Sequence, residues 1–228
     1  MKMSDQAMKK CPLCGDEIRA HYVVSIDMGS PGSKEKEKES KFAWCDNGEN
    51  QEGSLDIDKL ILALSSKTYF AMGIEAPLFI PLRPDDLKRF TGARGEIDGN
   101  NPWSAGAGAC VTAINLGFLA SLLSRIHQGN HDIAVTTNME AWEKCGDNCI
   151  LIWESFISGK DGSEESAKSS NPHIADAQKA LDLFESRSFV KKLCSKDYLN
   201  LPLAIAKELG IITIEPLTIL IVKGEKPC

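Results

Sequence analysis

HYVVSIDMGSP, residues 21–31, is a short apolar run that ends in a carboxylate and then breaks into a turn. Val23, Val24 and Ile26 are β-branched, which favours a strand, and Met28-Gly29-Ser30-Pro31 cannot continue one. Asp27 is therefore expected at a strand's exit. Three later acids, Glu75, Glu154 and Asp176, recur in comparable settings, each beside the end of an apolar element or inside one.

Outward from this strand, the charged stretch SPGSKEKEKESK alternates Lys with Glu and reads as a solvated turn leading into a second strand, Lys41 to Cys45. Ile57, Leu60, Ile61 and Leu64 then repeat at i, i+3, i+4 and i+7, the pattern of a helix with one buried stripe, and Asp56 is placed to cap it. Tyr69 to Ile74 reads as another buried strand, again ending in an acid, Glu75-Ala76-Pro77. Strand, hairpin, helix, strand is the opening of an α/β domain.

Further along, Pro84 to Phe90 is expected to open a short helix with proline at its first position. The Gly/Asn-rich stretch from Thr91 to Gly108 precedes a long helix marked by Val111, Ile114, Phe118, Leu122 and Ile126 and closed near Gly129. Ile133 to Thr137 predicts a short strand, and Ile150 to Ile157 a central one, apolar on both faces except at Glu154. Pro172 introduces a helix through about Arg187, with Asp176 at the border of its apolar stripe. The tail predicts helices over Phe189 to Leu193 and Leu203 to Leu209, then one or two strands in IITIEPLTILIV broken at Pro216. The domain reading is a tail over 1–20 and one domain over 21–228, with a helical and loop insertion at about 82–130 and a C-terminal extension at about 188–228.

A chain of 228 residues, 43% hydrophobic, is long enough to bury a proper core. Its unbroken apolar runs fall far short of the roughly 18 residues that span a bilayer, and MKMSDQAMKKCPLC has no apolar signal core. The expectation is a cytoplasmic protein with no membrane partner. A net charge of −6 and a pI near 5.3 argue against a protein that coats nucleic acid through a basic surface. They leave room for a nuclease, since acids that gather a divalent metal are themselves a source of negative charge.

The chain holds eight cysteines. Cys45, Cys110 and Cys194 stand among apolar residues and read as core thiols. Cys11 and Cys14 form a CPLCG knuckle that supplies two of the four ligands of a closed zinc site. Cys145 and Cys149, in CGDNC, are the other close pair. Zn²⁺ on these four is one reading, and free thiols are the other.

Four acids converging from strands and a helix suit hard Mg²⁺ or Mn²⁺, which can activate water and stabilise the leaving oxygen of a phosphodiester. Such a site needs no His, Cys or Ser nucleophile, and the chain has neither an HExxH motif nor a GxSxG elbow. VVSIDMGSP, FAWCD, AMGIEAPLFIPLR, ILIWESF and HIADAQKALDLF, in that order, resemble the motifs of a prokaryotic family of predicted RNase H-like nucleases over about Tyr22 to Arg187. The resemblance implies an RNase H-like α/β fold, with a mixed sheet that begins as an antiparallel meander, continues in parallel strands and carries helices on its faces. It also implies Asp27, Glu75, Glu154 and Asp176 as catalytic metal ligands and nucleic acid as substrate. Glu75 stands where that family more often has Asp, and the knuckle and the charged tip lie outside its pattern.

Two other functions compete with this one. A non-catalytic relative would keep the fold and use the knuckle or the Gly/Asn-rich insertion to bind a partner. An ATP-dependent phosphotransferase would share the sheet core, but needs two such domains and Gly-rich phosphate loops. Arg83, Arg89 and Arg94 surround the proline-rich loop after Glu75 and read first as solvated surface cations, with phosphate contact as the alternative. A homodimer is compatible with the sequence. For Asp27, Glu75 and Asp176 to share metals, their carboxylates must lie within roughly 10 Å of one another.

Overall fold

Strand β3 (Tyr22–Asp27) lies inside a mixed sheet between β4 (Ala43–Asp46), which runs antiparallel to it, and β5 (Tyr69–Ile74), which runs parallel. The computed structural model describes residues 8–10, 17–19, 21–28, 42–48, 50, 53–54, 56–83, 85–86, 91–94, 103–104, 108–157, 171–187, 190–215 and 218–223. The connection from β4 to β5 runs through α1 (Ile57–Ser65), whose N-cap is Asp56, the side chain accepting from Asp58 N at 2.9 Å and Lys59 N at 3.2 Å. Among the described residues, the antiparallel start of the sheet is the β3–β4 pair, with an isolated bridge between Trp44 and Ser54 beside it.

Beyond β5 lies β8 (Cys149–Phe156), parallel to it from Tyr69 opposite Cys149 to Ile74 opposite Glu154. The far edge of β8 is shared by two partners. Its first half pairs with β7 (Ala134–Thr136), itself followed outward by β11 (Ile212–Thr213), and its second half with β12 (Thr218–Lys223), where Ile221 faces Glu154. All of these run parallel, while β9 (Val190–Cys194) adds to β12 antiparallel. The expected helix over Phe189 to Leu193 is therefore a strand. The β-branched run of β12 offers a five-residue ladder, and that pairing overrides local helix preference.

Strand parity sorts the core into two faces. Val24, Ile26, Phe70, Met72, Ile74, Ile150 and Ile152 point to the first, with Leu60 and Leu64 of α1, Leu119, Leu122 and Leu123 of α2 (Gly108–Gly129), and Leu203 of α5 (Leu201–Glu208). Val23, Ala71, Leu151 and Trp153 point to the second, with Trp142 of α3 (Met139–Cys145) and Ala177, Ala180, Leu181 and Phe184 of α4 (Pro172–Glu185). The small Ala177 and Ala180 let α4 lie close against β3 and β4. Gly73 completes that fit, because a Cβ there would stand 2.2 Å from Trp153 Cζ2, and Trp153 is stacked on Phe184 with ring centroids 4.7 Å apart.

Helix α2 passes the length and composition test for crossing a membrane, although Thr112, Asn115, Gly117 and Ser121 interrupt its apolar run, because none of them is charged. A third of that apolar window is buried, and α2 packs against α1 and α5. The stretch expected as an insertion thus supplies a layer of the first face, and the stretch expected as an extension supplies β9, β11 and β12.

Two short antiparallel ladders stand apart from this sheet: β1 (Met8–Lys10) with β2 (Glu17–Arg19), and β6 (Phe79–Pro81) with β10 (Tyr198–Asn200). Met8–Lys10, within the stretch read as an N-terminal tail, is therefore a strand paired antiparallel with Glu17–Arg19. Cys45 is buried as expected, whereas Cys110, on the outer side of α2, and Cys194, at the end of β9, are exposed. The charged tip, the loop over 158–170 and most of the helix expected over Pro84 to Phe90 lie outside the described residues.

Candidate metal centre

Asp27 is the last residue of β3 and Glu75 the first beyond β5, and both side chains belong to the second face, beneath α4. Glu75 N continues the ladder by donating to Ile26 O at 2.8 Å, which sets its side chain beside that of Asp27. Asp176 comes down from α4. Asn171 caps that helix, its side chain accepting from His173 N at 3.0 Å and Ile174 N at 3.3 Å, with Pro172 in the first turn. One carboxylate oxygen from each of Asp27, Glu75 and Asp176 lies within 4.8 Å of the others. Asp27 and Asp176 are buried and Glu75 is half-buried. Among the described residues this is where three or more metal-ligating side chains converge.

Three carboxylates this close repel one another, and the arrangement calls for positive charge. Part of it comes from His173, whose Nδ1 is 2.7 Å from Asp27 Oδ2. The hydrogen bond to Asp27 raises the His173 pKa above its ordinary value, burial opposes this, and the charges of Asp27, Glu75 and Asp176 add to the rise. The N-terminal end of α4, capped by Asn171, is also the positive end of the helix dipole. The three acids could hold a divalent cation between them, and oxygen donors of this kind suit a hard ion.

Glu154 does not join this group. It is paired in register with Ile74 and Ile221, both of the first face, so the sheet itself separates it from Asp27 and Glu75. Its carboxylate faces Arg94, with Oε1 2.7 Å from Nη2 and Oε2 2.8 Å from Nη1, both side chains wholly buried. Leu78 N also donates to Glu154 Oε2, at 2.9 Å. The expectation of Glu154 as a metal ligand gives way to a buried ion pair, which is what a charge inside a strand needs to be tolerated.

Arg94 is likewise no surface cation. It also donates to Phe79 O at 3.3 Å and lies over the Phe156 ring at 5.9 Å. Arg83 donates to Ala93 O, and Arg89 lies outside the described residues.

Of the four cysteines considered for zinc, Cys11 and Cys14 are outside the described residues. Cys145 ends α3 and Cys149 opens β8. Burial pushes the Cys149 thiol well above its ordinary value, and hydrogen bonding to and charge on Cys145 push it the same way. In the absence of metal this favours the protonated thiol.

His173 was missed in the sequence. It precedes Asp176 by three residues on one helix, the spacing that brings two side chains to the same face, and this was the available signal. Comparison with protein-family models, curated proteins and solved structures finds no match.

Proposed function

We propose that this chain is a divalent-metal-dependent nuclease of RNase H-like type, with Asp27, Glu75 and Asp176 holding the metal. The observation that carries the reading is the convergence of three carboxylate oxygens within 4.8 Å from a strand end, a strand exit and a helix. The sequence motifs support it, and so does the order of an antiparallel pair followed by parallel strands with helices on both faces. A bound Mg²⁺ or Mn²⁺ would supply the charge that activates water and stabilises the leaving oxygen of a phosphodiester.

The chain's own residues then have defined tasks. Asp27 and Asp176 set fixed oxygen donors, held by β3 and by the capped first turns of α4. Glu75, half-buried, brings the third oxygen donor from the exit of β5. His173, 28% exposed at its side chain, orients Asp27 through Nδ1.

The test is cleavage of single-stranded, duplex and hybrid nucleic acids by purified protein with Mg²⁺ or Mn²⁺ and with EDTA. Metal-dependent cleavage that Asp27→Asn abolishes is expected. Inertness of the wild-type protein toward all of these substrates sinks the reading.

A further inference from the structure

The side of the sheet opposite the acidic triad carries a second charged device, and its hydrogen bonds run to the same loop. We propose that the Arg94–Glu154 pair is a positioning device for Glu75, acting through the amide of Leu78; the proposal rests on the reading of Asp27, Glu75 and Asp176 as a metal site.

Glu75 leaves the sheet on a short segment, Glu75-Ala76-Pro77-Leu78, whose later carbonyls are taken by neighbouring elements, Pro77 O by Thr112 Oγ1 at 3.2 Å and Leu78 O by Leu201 N at 3.1 Å, and whose amides set how it meets the sheet. Its first amide is tied to Ile26 O beside Asp27, and the next, Ala76 N, turns back on Ile74 O at 2.9 Å. Pro77 has no amide hydrogen to give. Leu78 N is therefore the first donor past the turn that can fasten the segment to another strand, and it goes to Glu154 Oε2. Because Glu154 stands in register with Ile74, the residue just before Glu75, this bond ties the segment to the neighbouring strand β8 at the level where it leaves β5.

A neutral acceptor would satisfy Leu78 N, yet the position holds a carboxylate in an apolar face. Arg94 explains how it is held. Its planar fork meets both carboxylate oxygens and so fixes the rotation of the group that Leu78 must find. A buried pair of this kind adds little net stability against an apolar substitute, so its yield is orientation. The same guanidinium reaches Phe79 O, the carbonyl of the residue after Leu78, and closes the clamp from the other side.

Two double variants separate positioning from bulk folding. Arg94→Met with Glu154→Gln removes both charges but keeps an acceptor for Leu78 N; Arg94→Met with Glu154→Leu removes the acceptor too. Affinity for Mn²⁺ alone is read by titration calorimetry, with near-ultraviolet circular dichroism confirming the fold. The Gln variant, which keeps the acceptor but loses the fork, should bind about threefold weaker than wild type and the Leu variant about tenfold or more weaker, the size that supporting residues around a metal typically contribute.

Equal affinities in the two variants overturn the proposal. If the Leu variant does not fold, Arg94→Lys carries the test, since a single ammonium cannot hold both oxygens. A loss of at least about threefold in Mn²⁺ affinity supports the clamp, and wild-type affinity overturns it. Absence of Mn²⁺ binding by the wild-type protein overturns the metal-site reading and this proposal with it. Binding by wild type with no difference among the variants overturns this proposal alone.

Discussion

Asp176→Asn offers a sharp test of the triad, because it should stabilise the metal-free protein while removing its response to metal. At the outer separation of 4.8 Å, two carboxylates repel by about 3.5 kcal/mol at an effective permittivity of about 20. Asp176 faces two such partners. The charge on His173 and the solvent reaching Glu75 offset much of that, which leaves a net relief of about 1–3 kcal/mol in the variant. For a chain of this size that raises the melting temperature by about 2–4 °C for each kcal/mol.

The wild-type protein recovers the difference when metal binds, gaining about 2.7 kcal/mol at a metal concentration a hundredfold above its dissociation constant. Differential scanning calorimetry in EDTA and in Mn²⁺ reads both effects. The variant should melt above wild type in EDTA and shift little in Mn²⁺, whereas wild type shifts upward. A variant that melts below wild type in EDTA, or that gains as much from Mn²⁺, refutes the reasoning that these carboxylates are held together against their own repulsion for the sake of a cation.

His173→Gln should lower the stability of the metal-free protein in a pH-dependent way. The pKa of His173 is raised in the folded state, so its contribution is fully present below the unfolded value of about 6.5 and is lost as pH rises through the higher folded value. Thermal melts of wild type and variant in EDTA should therefore diverge most on the acid side and converge toward alkaline pH; a constant gap would contradict the ion pair. Gly73→Ala should cost about 1–3 kcal/mol in urea unfolding, since the new methyl meets Trp153 where Phe184 blocks its retreat. An unchanged midpoint would show that Trp153 has room to move.

Much of the sheet could be read from periodicity. Tyr69–Ile74 is an apolar run and the strand around Ile150 is one interrupted at Glu154 and Ser155, and the α1 stripe with its Asp56 cap follows helical spacing. The strand β9 could not be read so, because VKKLC owes its form to a partner far along the chain, and a strand formed by pairing leaves a weak local pattern. Cys110 misled for a related reason: apolar neighbours in sequence do not say which side of a helix faces the sheet.

At the site, Asp27, Glu75 and Asp176 were identified from their places at element ends, and Glu154 was grouped with them on the same ground. Parity held the correction. Asp27 follows Ile26 and Glu75 follows Ile74, each one step past a first-face residue, whereas Glu154 lies two steps from Ile152 and so shares its face. Arg94 gave no local signal, because its partner is chosen by the fold rather than by spacing.

The divided edge of β8 also bears on how the molecule assembles. Residues 149–151 find β7 nearby in the chain, whereas residues 154–156 pair on that side, among the described residues, with 221–223. Closing so distant a pairing carries a larger entropic cost and slows the step. A nascent chain halted before Thr218 would lack the strand that pairs with residues 154–156, and so would display an open sheet edge to any chaperone at the exit tunnel.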